Sequence, residues 1–257
     1  DGADTIDGGS GIDEIDYSTD AAAGGDSGVT VDLSSGTATD GFGDSDTLSN
    51  IENIKGTDEA DKLTGSDADN IILGEAGDDV IAGLDGADTI DGGSGDDSIL
   101  GGEGDDSILG GSGDDYIVGG IGSDAIDGGS GIDEIDYSTD AAAGGDSGVT
   151  VDLSSGTATD GFGAEDTLSN IENIKGTDEA DKLTGSDAAN VIAGNAGDDV
   201  IAGLDGADTI DGGEGADQID GGAGADQIVG GSGDDAILGN TGADTIDGGV
   251  GADQIDG

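Results

Sequence analysis

Along most of the chain one aliphatic residue recurs every nine positions, with a small or polar residue usually on either side. The file begins at Ile6 and Ile15, resumes as Leu63, Ile72, Ile81, Ile90, Ile99, Ile108, Ile117, Ile126 and Ile135, and returns as Leu183, Ile192, Ile201, Ile210, Ile219, Ile228, Ile237, Ile246 and Ile255. A three-residue x-aliphatic-x run has the period of a short strand with one side chain turned inward. Each predicted strand follows a six-residue glycine-rich turn, as in GGSGDDSIL (92–100), GGEGDDSIL (101–109) and GGSGDDYIV (110–118). Glycines at fixed places mark backbone that takes positive φ or lets another backbone approach. Two nonads back to back give one coil of strand, turn, strand and turn. Successive coils should pair as parallel strands about 4.8 Å apart, with their β-branched side chains stacked into a narrow core.

The sixth place of the turn is almost always aspartate. In the first array these are Asp61, Asp79, Asp88, Asp97, Asp106, Asp115, Asp124 and Asp133, with Asn70 the exception. In the second they are Asp181, Asp199, Asp208, Asp217, Asp226, Asp235, Asp244 and Asp253, with Asn190 the exception, and Asp4 and Asp13 hold the same place near the start. Residues two nonads apart stack on one edge of the coil, so the carboxylates should form files at a spacing of roughly 5 Å. Like charges that close repel unless a cation lies between them. The chain offers 4 Lys+Arg against 62 Asp+Glu, a net charge of −58. A hard divalent cation with oxygen ligands answers this, and Ca²⁺ tolerates a mixed set of carboxylates and carbonyls better than Mg²⁺ does. With no His and no Cys, softer metals find no ligands.

The phrase glycine-glycine-x-glycine-x-aspartate-x-aliphatic-x resembles the repeats-in-toxin (RTX) family of secreted bacterial proteins, whose nonapeptide binds Ca²⁺ in a parallel β-helix. The resemblance implies an all-β fold, a right-handed parallel β-roll or β-solenoid with Ca²⁺ in the GGxGxD turns. Each ion would take the sixth-place Asp of one turn, that of the turn two nonads on, and main-chain oxygens of both loops. A Gly/Asp-rich acidic chain can also be a disordered tail, but the shared register of Ile and Asp over nine consecutive copies argues against that. Without calcium the carboxylates repel over a core of one aliphatic residue per nine, so folding and metal binding should be one event.

Residues 1–16 read as the end of one array and 17–55 as an insert. Nine nonads occupy 56–136, the insert recurs at 137–175, and a second nine-nonad array fills 176–257. Residues 8–93 and 128–213 differ at six places only: Asp44, Ser45, Asp69, Ile71, Leu73 and Glu75 stand against Ala164, Glu165, Ala189, Val191, Ala193 and Asn195. The repeat unit is therefore one insert plus one nine-nonad array. Within the insert GVTVDLSSGTA (28–38) reads as strand, tight turn and strand. In DTLSNIENIKGT (46–57) Leu48, Ile51 and Ile54 have a helical spacing, but the in-phase exit into the first nonad favours coils without calcium turns. Lys55, Lys62, Lys175 and Lys182 stand near the starts of the arrays, beside Asn70 and Asn190, either in place of an ion or as simple charge balance.

Without Cys there is no thiol chemistry, and without His no triad that depends on it. Paired carboxylates acting on a glycoside need two unlike environments, whereas here each Asp repeats in the same surroundings. An enzyme is not expected. The charge excludes nucleic acid as a partner and disfavours anionic membranes, and no apolar run is long enough for a membrane span. The expected role is a structural, calcium-binding extracellular or cell-surface repeat segment of the adhesin, surface-layer or filament kind. The alternative is the calcium-triggered folding and secretion module of a larger exoenzyme. Both ends stop mid-pattern, as in a window cut from a longer chain. Identical chains could stack end to end through open strand edges or touch laterally through Phe42 and Phe162.

Overall fold

The computed structural model describes residues 2–19, 27–140, 144–145 and 147–257. The described residues are all-β, a parallel β-solenoid of short strands, and they fall into two compact units that meet in sequence at Asp133 and Glu134. In the first unit one sheet runs, edge to edge, through Thr5–Asp7, Ser45–Ser49, Thr37–Thr39, Thr30–Asp32, Lys62–Thr64, Val80–Asp85, Ser98–Glu103 and Tyr116–Ile121. The other runs through Glu14–Asp16, Asn53–Lys55, Ile71–Leu73, Thr89–Ser94, Ser107–Ser112 and Ala125–Ser130. The second unit has the same two-sheet build, for example Val191–Ala193 beside Thr209–Glu214 and Val200–Ala202 beside Gln218–Asp220.

The pairing offset is the coil length, two nonads. Ile99 lies opposite Ile81 and Ile117, and Ile90 opposite Ile72 and Ile108, all in parallel register. A slip of one residue would turn each aliphatic side chain to the wrong face. The nine-residue file is the core: Ile72, Ile117 and Ile192 have no exposure at all. Its outermost members are less covered, with Ile255 half exposed, because a neighbouring coil packs on one side only.

Two features of the turn make the stacking possible. The second place takes positive φ, 127° at Gly102, and a Cβ built there would stand 1.7 Å from the carbonyl oxygen of Leu84 in the coil before. Where that place is not glycine the conformation persists, at Glu75 (φ 76°) and Leu84 (φ 84°), at a local cost of about 1–2 kcal/mol for a side-chain-bearing residue.

Each insert is part coil and part hairpin. Thr30–Asp32, Thr37–Thr39 and Ser45–Ser49 form an antiparallel meander, an arrangement the nonads never use. Ser45–Ser49 then pairs in parallel with Thr5–Asp7, and Asn53–Lys55 with Glu14–Asp16, so the chain re-enters the solenoid in phase. Leu48 and Ile54 are buried in the same core. Their spacing therefore comes from two separate strands rather than from a helical turn.

Candidate metal centre

The sixth-place aspartates stack as two files in each unit, and their carboxylates do different work with their two oxygens. One oxygen reaches back one coil. Oδ1 of Asp79 accepts the N–H of Asp61 at 2.7 Å, that of Asp97 the N–H of Asp79 at 2.8 Å, that of Asp115 the N–H of Asp97 at 2.9 Å, and that of Asp133 the N–H of Asp115 at 2.8 Å. On the other edge Asp88, Asp106 and Asp124 accept from Asn70, Asp88 and Asp106 at 2.7, 2.8 and 2.9 Å. In the second unit Asp199, Asp217, Asp235 and Asp253 form one such ladder and Asp208, Asp226 and Asp244 the other, at 2.8 to 3.1 Å.

The second oxygen turns to the first-place glycine. A Cβ on Gly74 would stand 2.3 Å from Asp79 Oδ2 and 2.3 Å from the carbonyl oxygen of Gly92. At Gly110 the corresponding distances are 2.4 Å to Asp115 Oδ2 and 2.6 Å to the carbonyl of Gly128. A carboxylate oxygen and a carbonyl oxygen thus face one space that only glycine leaves open. In that space Oδ2 of Asp79, Asp88, Asp97, Asp106 and Asp115, and of Asp199, Asp208, Asp217, Asp226 and Asp235, is buried and accepts no hydrogen bond. A buried charged acceptor without a donor costs several kcal/mol on the order of its desolvation.

The protonation equilibria register the same strain. Burial, with the neighbouring Asp61 and Asp97 charges added, pushes Asp79 up to about 8. Burial and adjoining aspartates raise Asp199 to about 7 and Asp97, Asp106 and Asp115 to about 6. Asp88, Asp208 and Asp217 are raised for the same leading reason. Hydrogen bonds from the ladder oppose the shift without cancelling it. A hard cation fits this donor chemistry, which is carboxylate and carbonyl oxygen throughout. Among the described residues no three acidic side chains converge on one point, so an ion here would draw most of its ligands from main-chain carbonyls.

Several residues expected in the files stand apart. Asp61 and Asp181 are buried, but their oxygens are already engaged: Thr57 gives Asp61 its N–H and hydroxyl at 2.7 and 3.0 Å, and Val29 gives its N–H at 2.6 Å. Thr177 and Val149 do the same for Asp181. Asp4 is exposed and Asp13 half-buried. Their N–H groups donate not to an aspartate two nonads on but to Asp46 Oδ1 and Glu52 Oε2, across the insert. Asp244 and Asp253 are half-buried in the last coils.

The asparagine turns are closed by hydrogen bonds, and two of the lysines pair with carboxylates elsewhere. Asn70 donates through Nδ2 to the carbonyl of Glu52 and accepts the Ser66 N–H on Oδ1, at 2.6 and 2.7 Å. Asn190 repeats this with Glu172 and Ser186. Those turns close by their own hydrogen bonds, and no lysine is involved in them. Lys55 instead pairs with Glu75 and Lys175 with Asp136. The Asn70→Asp variant should therefore set a carboxylate oxygen against the Glu52 carbonyl. We expect it to lose about 1–3 kcal/mol at saturating Ca²⁺, read by urea denaturation, and to gain no ion. An extra bound ion with stability unchanged would refute this account of the turn.

Two sets of residues went unread in the sequence. Asp46 and Glu52 complete the coil before the insert; the signal was that Glu52 stands one coil length before Asn70. The fifth-place aspartates form an outer ladder of opposite sense, Asp78 and Asp96 accepting from the N–H of Asp96 and Asp114 at 3.0 and 2.8 Å. Their signal was the doubled Asp of GxGDD.

No curated protein was found to match the chain. The family model described as "RTX calcium-binding nonapeptide repeat (4 copies)" matches it repeatedly, together over residues 1–16, 40–135 and 166–257, well over half its length. With the nonad register, the parallel solenoid and the aspartate–glycine turns all in place, the chain belongs to the RTX calcium-binding nonapeptide-repeat family.

Proposed function

We propose that the chain is a structural, calcium-stabilised repeat segment of an extracellular or cell-surface protein, of the adhesin, surface-layer or filament kind, and not a catalyst. In this reading Asp79, Asp88, Asp97, Asp106, Asp115, Asp199, Asp208, Asp217, Asp226 and Asp235 hold Ca²⁺ through Oδ2, helped by the carbonyls of the stacked glycine turns. Asp124, Asp133, Asp244 and Asp253 continue the same files. Bound Ca²⁺ supplies the positive charge that the buried oxygens lack. The residues themselves orient those oxygens, fix the coil spacing through the Oδ1 ladder, and keep side chains out of the space.

One observation carries the reading. The same carboxylate, glycine and carbonyl arrangement recurs at ten turns with the same partners, so no turn is set apart for chemistry, and near-identical tandem units add length rather than a unique site. Sedimentation velocity over a range of chain concentrations, first in Ca²⁺ and then in Mg²⁺, tests it. Calcium-dependent growth into long species through the open strand edges supports the structural segment. A single compact species at all concentrations would instead point to a folding and secretion module.

A further inference from the structure

Where the last nonad of the first array passes into the second insert lies a group of buried carboxylates outside the sixth-place files. Asp136, Asp140, Asp160 and Asp166 are 1, 2, 1 and 3% exposed. Two have side-chain donors: Asp136 accepts from Lys175 Nζ at 2.8 Å, and Asp166 Oδ2 from the Tyr137 hydroxyl at 2.9 Å. Asp140 and Asp160 are met by main chain. Gly161 donates its N–H to Asp140 Oδ2 at 2.9 Å, and Phe162 and Ala164 donate theirs to Asp160 Oδ1 at 3.0 and 2.7 Å. Asp160 Oδ2 is buried and accepts nothing.

Other oxygens gather beside them where glycines leave room. A Cβ on Gly161 would stand 3.3 Å from Asp140 Oδ2 and 3.2 Å from the carbonyl oxygen of Ser147. One on Gly145 would stand 2.9 Å from the carbonyl oxygen of Gly161 and 3.2 Å from that of Asp140. Burial first, then the charges of Asp160, Asp166 and Asp136, push Asp140 up to about 6. One lysine then faces four buried carboxylates. A buried charge without a partner is strongly unfavourable, and the oxygens around Gly145 and Gly161 have the mixed carboxylate–carbonyl character of a Ca²⁺ site.

We propose that Asp140 and Asp160 hold one hard divalent cation, Ca²⁺, at a site in the insert separate from the nine-residue turns. The two carboxylates come from separate turns of the insert, so the ion ties its start to the Asp160–Ala164 turn. Asp166 and Asp136 add negative charge nearby without both being ligands, in keeping with the absence of any converging acidic triad among the described residues. The first copy of this junction and insert carries Asp16, Asp40 and Asp46 at the corresponding places, while Asp20, the counterpart of Asp140, lies outside the described residues.

Tyr137 makes the site readable, because its hydroxyl is on Asp166 and the chain has three Tyr and no Trp. The full-length chain with Tyr17→Phe and Tyr116→Phe leaves Tyr137 as the one sensitiser. Titrated with Tb³⁺ under tyrosine excitation, it should give saturable emission that Ca²⁺ displaces. Adding Asp160→Asn should shift half-saturation at least tenfold upward, and equilibrium dialysis should find one Ca²⁺ fewer per chain, with the circular dichroism in Ca²⁺ unchanged. Asp140→Asn should reproduce the loss, and it serves as the readout if Asp160→Asn misfolds. No Tyr137-sensitised emission from the folded parent overturns the proposal without recourse to either variant. So does an unchanged titration and ion count in a folded variant, which would mean that the carboxylates share protons or that the emission comes from the nonads.

Discussion

Stripped of divalent ions at pH 7.5, the chain is expected to lose its β-sheet circular dichroism, and to regain it in one cooperative step as Ca²⁺ is added back, with Mg²⁺ a poor substitute. The loss follows from what is buried. Ten carboxylate oxygens lie in the turns without a donor, while the core that must outweigh them is a single aliphatic residue per nonad. A net charge of −58 adds repulsion that is relieved by expansion of the chain. Each site that binds only the folded state contributes about 2.7 kcal/mol at a hundredfold excess of ion over its Kd. Such sites, repeated along the files, add to the core in opposing the entropy of closing coil on coil, and nearest-neighbour stacking makes the response cooperative. Mg²⁺ keeps its waters and requires a tighter octahedron, which glycine-turn carbonyls do not offer. A sheet spectrum in chelator equal to that in Ca²⁺ would mean that the orphaned oxygens are tolerated, and the metal role of the files would fall.

The fold was largely legible because its period is short and unforgiving. Ile81, Ile99 and Ile117 can lie opposite one another only if each coil spans two nonads, and the nine-residue spacing of Ile and Asp contains that length. The inserts were less legible. Val31, Ala38 and Leu48 lie buried in an antiparallel meander, whose register depends on the turn at Leu33–Gly36 and not on any repeat. At the site, residue identity was readable but hydrogen-bond state was not. Asp61 and Asp79 hold the same place in the nonad, yet Asp61 is closed by Thr57 and Asp79 is open beside Gly74, because a threonine with ordinary φ turns its N–H and hydroxyl inward and a positive-φ residue at that place does not. The GTDEAD (56–61) and GSDADN (65–70) turns, which have no glycine beyond the first place, are thus turns that supply their own donors. Asn70 fits one of them better than an aspartate could, since its amide both gives and accepts.

Acidification should partly replace calcium. In the ion-free chain the folded state holds its turn carboxylates above the ordinary 3.8, at about 8 for Asp79, about 7 for Asp199 and about 6 for Asp97, Asp106 and Asp115, chiefly through burial. The folded state therefore binds more protons than the unfolded one between pH 3.8 and pH 8. By linkage its stability falls as pH rises through that window and is fully expressed only below the unfolded value. The calcium-free chain should thus gain sheet structure and resistance to urea on going from pH 8 to pH 5, a range that stays clear of precipitation near the isoelectric point of about 4.1. Ca²⁺ competes with the same protons, so its apparent affinity should rise over the same interval, most steeply between pH 6 and pH 8. The sheet signal of metal-stripped protein at pH 5, 6, 7 and 8, with urea midpoints at each pH where a folded baseline remains, measures the first effect. Midpoints that rise with pH would mean that the carboxylates are stabilised as anions without any ion, contrary to the unpartnered Oδ2 atoms. Midpoints that fall with pH in the stripped chain but not in Ca²⁺ would identify protons and calcium as alternative occupants of one set of turns.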